Sequence, residues 1–158
     1  MEIRTTIQPG DIGEIVRLHG VLYAREYALD RTFEGYVAAG IGAFAIEFDE
    51  RKDRLWIAES NARLLGSIAI VGQADRSAQL RWFLVDPDAR GAGLGRRLLA
   101  EALAFCRERR FTSVFLWTIS GLPASAHLYR KAGFELTEEK THELWGTVRT
   151  EQRYDLFL

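Results

Sequence analysis

The stretch Leu80-Arg-Trp-Phe-Leu-Val-Asp-Pro-Asp-Ala-Arg-Gly-Ala-Gly-Leu-Gly-Arg-Arg-Leu-Leu99 decides how the chain is organised. Its first six residues are β-rich, with Leu80, Trp82 and Leu84 in alternation. Pro87 has no N–H to donate to a ladder and ends the strand. The glycine-dense loop Arg90-Gly91-Ala92-Gly93-Leu94-Gly95 follows, and a helix begins at once. Its apolar residues Leu94, Leu98, Ala102 and Phe105 recur at spacings of 4, 4 and 3. Strand, glycine loop and helix together make an anion site. The first N–H groups of a helix have no partner, glycine lets a ligand come close, and the helix dipole favours negative charge. The stretch reads as a pyrophosphate cradle.

Upstream, Glu2–Ile7 reads as a first strand ending at Pro9-Gly10. Asp11 with Glu14 makes a capping-box pattern for a helix striped by Ile12, Ile15, Val16, Leu18, Leu22 and Tyr23. Phe33, Val37, Ile41, Phe44 and Phe48 predict a second amphipathic helix. The charged run Asp49–Asp53 is a turn. Leu55–Ser60 and Arg63–Val71, parted by Asn61-Ala62, form a hairpin, and Ala78–Val85 adds a third strand of the meander. Downstream of the glycine loop and its helix, Thr112–Thr118 is apolar on both faces, as a covered central strand would be. Ala124–Ala132 is a short helix stopped by Gly133, and Phe134–Lys140 and Gly146–Leu158 close the chain as strands. The order β, α, α, β, β, β, α, β, α, β, β predicts an α/β domain with a mixed sheet, residues 1–158 forming a single domain.

Bulk properties narrow the function. The 158 residues are 47% hydrophobic and 27% charged, as in a soluble globular protein. A net charge of −1 gives no overall pull towards nucleic acid, so any phosphate binding is local. The one cysteine, Cys106, excludes an internal disulfide and a cysteine-rich zinc site, and it falls on the apolar face of its helix. No apolar run approaches the ~20 residues of a membrane span, and Met1-Glu2-Ile3-Arg4 does not open a signal peptide. The expectations are a cytoplasmic protein with no metal, no nucleic-acid partner and no membrane association.

Three phosphate loops compete for residues 90–95. A Walker A loop needs a Gly-Lys pair, which the chain lacks. A dinucleotide fingerprint needs G-x-G-x-x-G after the first strand. Counting from Gly91 and from Gly93, the third glycine falls on Arg96 and Leu98, and the loop lies mid-chain. That disfavours a nucleotide-dependent oxidoreductase. The pattern R/Q-x-x-G-x-G/A is met by Arg90, Gly93 and Gly95. This loop resembles the coenzyme A pyrophosphate loop of the GCN5-related N-acetyltransferase (GNAT) superfamily. Ser125-Ala-His-Leu-Tyr-Arg-Lys-Ala-Gly-Phe134 resembles that superfamily's second signature, and the element order matches over nearly the whole chain. His19-Gly-Val-Leu-Tyr-Ala-Arg-Glu-Tyr27 and Leu116-Trp-Thr118 carry a finer likeness, to the acetyltransferase half of proteins in which this domain follows a MarR-type repressor. The chain has no repressor domain, so DNA binding does not transfer.

The resemblance implies a mostly antiparallel sheet of about seven strands flanked by about four helices and splayed between the fourth and fifth strands. It implies acetyl-CoA as acyl donor and a primary amine of a small molecule or peptide as acceptor. Backbone of Leu84 and Val85 would hold the pantetheine arm by adding it to a sheet edge. Amides of Arg90, Gly91, Ala92, Gly93, Leu94, Gly95 and Arg96 would hold the pyrophosphate, with Arg90, Arg96 and Arg97 as counter-charge. Tyr129 stands at the family's general-acid position; a phenol is protonated at neutral pH and can donate to a departing thiolate. The strand Gln79–Val85 has no carboxylate to serve as base. Glu26 and His142 are the candidates for the base, and a water relay is the alternative. His127, two residues from Tyr129, points to another side of its helix. Tyr23, Tyr27 and Trp82 are candidate walls of the acceptor pocket, with core packing as the competing assignment for Trp82. Trp117 is assigned to the core. Without a base the chain would be an acyl-CoA-binding sensor or partner module, and the family also admits a homodimer.

Overall fold

The elements expected from the sequence form one sheet between two helical layers in the computed structural model, which describes residues 1–158. In chain order they are β1 (Glu2–Arg4), α1 (Asp11–Tyr27), α2 (Arg31–Ile46), β2 (Arg54–Ser60), β3 (Arg63–Gly72), β4 (Ser77–Val85), α3 (Leu94–Glu108), β5 (Ser113–Ile119), α4 (Pro123–Lys131), β6 (Glu135–Leu144) and β7 (Thr147–Phe157). The seven strands lie in the order β1-β2-β3-β4-β5-β7-β6. Every neighbouring pair is antiparallel except β4 and β5, which are parallel.

Each face of the sheet buries a different helix pair. On one side Leu94, Leu98 and Ala102 of α3 and Tyr129 of α4 pack on Ile68, Ile70, Val114 and Leu116. On the other, Ile15 and Leu22 of α1 and Val37 and Ile41 of α2 pack on Leu55, Ile57 and Ala69. Each fully buried Leu or Ile contributes roughly 1.5–3 kcal/mol relative to exposure.

The parallel pair holds only at its start. β4 and β5 are in register at Ser77–Ser113, Ala78–Val114 and Gln79–Phe115, and beyond those pairs the strands part. A bulge in β4 accompanies the parting. Ser67 faces Leu84 and Ala69 faces Arg81, so Trp82 and Phe83 together oppose Ile68. Trp82 takes a φ of 49°, a costly conformation for a bulky residue. Its carbonyl accepts a 2.7 Å bond from the buried Ser67 hydroxyl. The bulge shifts the alternation by one residue. Leu80 belongs to the α3 face, whereas Trp82 and Leu84 belong to the α1/α2 face.

Local details depart from expectation in three places. The first strand stops at Arg4, not Ile7. Gly10, with a φ of 92°, precedes the first helix as its N-cap. Asp11 instead receives Arg4 Nη1 at 2.8 Å and the Gln8 amide at 2.6 Å, and Glu14 pairs with Arg17 rather than closing a capping box. β6 continues to Leu144, so His142 lies within the strand. Cys106 is fully buried and burial pushes its thiol up to about 12, which makes it an inert core residue. No helix is long and apolar enough to cross a membrane.

Candidate active site

The parting of β4 from β5 opens the sheet where the glycine loop begins. Asp86 N–H bonds to the Leu65 carbonyl on β3. Backbone direction alternates along a strand, so Leu84 also turns to β3, while Val85 and Phe83 turn to the split. Of the two residues expected to offer backbone to the pantetheine arm, Val85 faces the opening. Phe83 shares that orientation, whereas Leu84 is turned to β3.

The loop after β4 is built by short-range bonds. Asp86 accepts from the Asp88 amide at 2.9 Å and from Arg63 at 3.0 Å, which fixes the turn at Pro87–Ala89. Gly91 and Gly93 then take φ values of 82° and 85°, which residues with side chains rarely adopt. The next turn is the start of α3. Through this passage the N–H groups of Gly91, Ala92, Gly93, Leu94, Gly95 and Arg96 donate to no acceptor in the protein; the first closed bond is Arg97 N–H to Gly93. Successive free amides at a helix start are the donor set that a pyrophosphate requires, so these residues fit the group.

Two cavities meet at the split. The larger, about 540 Å³, runs along the loop and α3 start to α4. Its walls include Tyr27, Phe83, Val85, Gly93, Arg96 and His127. The smaller, about 110 Å³, lies between α1, α2, β4, β5 and β7 and is mostly apolar. Tyr23 and Phe83 line both. Tyr129 lines the smaller one, its ring packed between Phe83, Phe134 and Tyr154. Burial raises the Tyr129 phenol well above its ordinary value, and burial pushes Tyr23 up to about 12. Both are therefore proton donors throughout the neutral range.

The expected side chains divide between these cavities. Trp82 lines the smaller one and also packs edge-on against Phe44, so it is both wall and core. Tyr27 lines the larger cavity, away from the acceptor pocket expected to hold it. Glu26 also lines the larger cavity, and its carboxylate takes Arg90 Nη2 and Nη1 at 2.8 and 2.9 Å. The guanidinium bond holds the Glu26 carboxyl below the usual carboxylate range. A carboxylate so engaged is a poor base. The pair ties α1 to the head of the glycine loop. His142 is outside the smaller cavity but bonds through Nε2, at 2.7 Å, to Glu151, which lines it. Trp117, assigned to the core, is half-buried; it lines the smaller cavity beneath Lys140.

Besides Glu151, two residues of the smaller cavity are given no role by the sequence. His19 is buried in its wall, stacks on Tyr23 and donates from Nδ1 to the Ile15 carbonyl at 2.8 Å. Burial pushes the imidazole down to about 4, so it is neutral with Nε2 free to accept. A histidine on an apolar helix stripe gives no signal that sets it apart from packing. Arg81 is the other; it faces the α1/α2 side in register with Ala69, two residues past the last β4–β5 pair, and the strand pattern does not reveal the split that opens there.

Comparison with known proteins fixes the class. The profile of the acetyltransferase (GNAT) family matches residues 22–134, so the chain belongs to that family. A Streptococcus agalactiae acetyltransferase superposes with a TM-score of 0.79 at 28% identity, covering 99% of this chain and 98% of the other. A Salmonella typhimurium structure solved with its cofactor acetyl-CoA shares the fold, with a TM-score of 0.74, 19% identity and coverage of 99% and 93%. Among curated relatives, the Cellulomonas flavigena mycothiol acetyltransferase is 47% identical over 53 residues, 34% of this chain and 15% of that protein. The rat N-acetyltransferase family 8 member 3 is 34% identical over 89 residues, 53% of this chain and 39% of that protein. The chain thus matches well under half the length of either.

Proposed function

We propose that the protein transfers an acetyl group from acetyl-CoA to a primary amine of a small molecule or peptide, by direct attack, with Tyr129 as general acid. The observation that carries this is the meeting of two cavities at Tyr23 and Phe83, one walled by free amides and the other by Tyr129. The larger cavity suits coenzyme A. Val85 and Phe83 offer sheet-edge backbone for the pantetheine arm, and Gly91–Arg96 offer amides for the pyrophosphate. Arg96 lies free of ion pairs, while Arg90 is shared with Glu26.

Acetyl-CoA supplies an activated acyl carbon at the cavity junction. There the new N–C bond forms as the C–S bond breaks, and the electron pair leaves with sulfur. An acceptor arriving as an ammonium gives up two protons. One ends on sulfur, delivered from the Tyr129 phenol, which is then reprotonated; the other passes to solvent. Glu151, held by His142, is the carboxylate at the acceptor side and receives that second proton directly or through water. The two stretches that resemble MarR-fusion acetyltransferases supply His19, Tyr23, Leu116, Trp117 and Thr118 to the smaller cavity, so that likeness belongs to the acceptor side. A cytoplasmic setting and action as one domain, alone or as a homodimer, belong to the same proposal.

The test is calorimetric titration with acetyl-CoA beside a thiol-release assay over an amine panel. Binding and turnover are expected, and Tyr129→Phe should lower kcat at least about tenfold with little change in coenzyme affinity. Absence of binding at millimolar acetyl-CoA would sink the proposal. Binding without turnover of any amine would leave the sensor reading in its place.

A further inference from the structure

The smaller cavity, which Glu151 also lines, holds a guanidinium that forms no ion pair. Arg81 follows the last registered β4–β5 pair by two residues and lines the cavity. Its guanidinium carbon sits 4.5 Å from the Trp82 ring centroid and 5.7 Å from that of Tyr36. Nη2 also donates to the Tyr36 hydroxyl at 3.2 Å. The space it occupies depends on Gly40 of α2, where a Cβ would stand 2.9 Å from Arg81 Nη2. Glycine inside a helix costs roughly 0.5–1 kcal/mol relative to alanine, yet here it admits the guanidinium. Other arginines that border the sheet, such as Arg4, Arg63 and Arg153, are paired with Asp or Glu within 3.0 Å. Arg81 is held by stacking instead, and its Nε and Nη1 donors have no acceptor within the protein. A planar, pre-positioned donor fork of this kind matches a carboxylate.

Position adds the second half. Arg81 immediately precedes the bulge formed by Trp82 and Phe83, and Phe83 marks the junction where the acyl carbon would arrive. Arg81 and Phe83 both line the cavity of about 110 Å³. A space of that size suits a small acceptor whose anionic group lies within a few bonds of its nitrogen. Between them the walls are Tyr23, Phe33, Trp82, Phe83 and Trp145, rings that favour a flat or large apolar group. The same guanidinium repels a polycation.

We propose that the acceptor is a free α-amino acid with an aromatic or large apolar side chain, its carboxylate held by Arg81 and its side chain by the aromatic walls. This rests on the acyl-transfer reading above and names its substrate. The amine of the amino acid forms the amide bond while the C–S bond breaks, and the carboxylate takes no part in the exchange.

Thiol release is measured with acetyl-CoA and L-phenylalanine, phenethylamine, phenylalaninamide, spermidine and an Ala-headed peptide. The expected result is a kcat/KM for L-phenylalanine at least about tenfold above phenethylamine and phenylalaninamide, which present the same ring without the carboxylate. In Arg81→Gln that advantage should fall at least about tenfold, through KM rather than kcat, with partial rescue in Arg81→Lys. An unchanged advantage in a folded Arg81→Gln, equal use of phenethylamine, or preference for spermidine or the peptide overturns the proposal while leaving acyl transfer intact. If no amine is turned over, L-phenylalanine is titrated into the CoA complex: uptake weakened by Arg81→Gln supports the proposal, and no uptake overturns it. Failure to bind acetyl-CoA at all strikes the underlying reading instead.

Discussion

His19 is a neutral imidazole on a helix stripe that otherwise buries Ile15, Leu18 and Leu22. Its Nδ1–H is satisfied within its own helix, so burial leaves a ring that resists protonation. The consequence for stability has a definite sign. The unfolded histidine titrates near 6.5 and the folded one near 4. Above pH 6.5 both states are neutral and the folded state keeps its full stability. As pH falls from 6.5 to 4 the unfolded chain takes the proton first, and the protein loses on the order of 3 kcal/mol across that window. Denaturant melts of the wild type and His19→Phe at pH 7.5, 5.5 and 4.5 should differ in this slope, with the variant flatter. Parallel slopes would show that the ring is hydrated. Arg81 illustrates the complementary case at the same scale. An arginine in an alternating strand reads as a solvent-side residue, whereas here ordinary register with Ala69 turns it to the α1/α2 side, where the split leaves a cavity. Tyr129 stands out in the sequence because a helix closing in Gly133-Phe134 frames it, and it is buried in the wall of the smaller cavity. The ion pair of Glu26 is hidden from the sequence, since its partner Arg90 lies 64 residues away.

Secondary structure was legible where burial imposes a period and illegible where it does not. α3 and β5 were read to within a residue or two, because one stripe or both faces are covered. β6 was read too short because nearly all of Glu135–Leu144 is exposed, leaving no apolar alternation to mark its end. The bulge in β4 was hidden for the opposite reason: Leu80, Trp82 and Leu84 alternate and are all buried, yet on two different faces. That bulge makes a testable element. Trp82 gives up a ladder position, and Ser67 supplies the bond its carbonyl would otherwise lack. Ser67→Ala removes the donor without changing much volume and leaves a buried carbonyl unpaired, so it should destabilise by about 1–3 kcal/mol. It should also lower kcat/KM, because Trp82 and Phe83, which line the smaller cavity, take their directions from the bulge. Equal stability with full activity would show that packing of Trp82 on Phe44 alone holds the bulge.

At the scale of the whole molecule, the sheet is nearly two sheets. β2 to β4 and β5 to β7 are each joined by long antiparallel registers, while only three parallel pairs link β4 to β5. The helical layers and these three pairs hold the halves together. A ligand whose arm lies along the open edge of β4 and whose pyrophosphate caps α3 adds bonds where the two halves of the sheet are joined by only three pairs. Such a ligand binds only the folded chain, so mass action sets its effect: at about 100 times Kd it adds about 2.7 kcal/mol. For a chain of this length each kcal/mol moves Tm by about 2–4 °C, so acetyl-CoA should raise Tm by about 5–11 °C. Local protection should follow the same geometry. In hydrogen exchange, the amides of Gly91–Arg96 and of Phe83 and Val85 should slow on binding, and those at the β6–β7 hairpin end near Trp145 should not. A rise in Tm without protection at these amides would place the coenzyme elsewhere, whereas protection confined to Gly91–Arg96 would mean that the pyrophosphate is held and the split edge of β4 is not used.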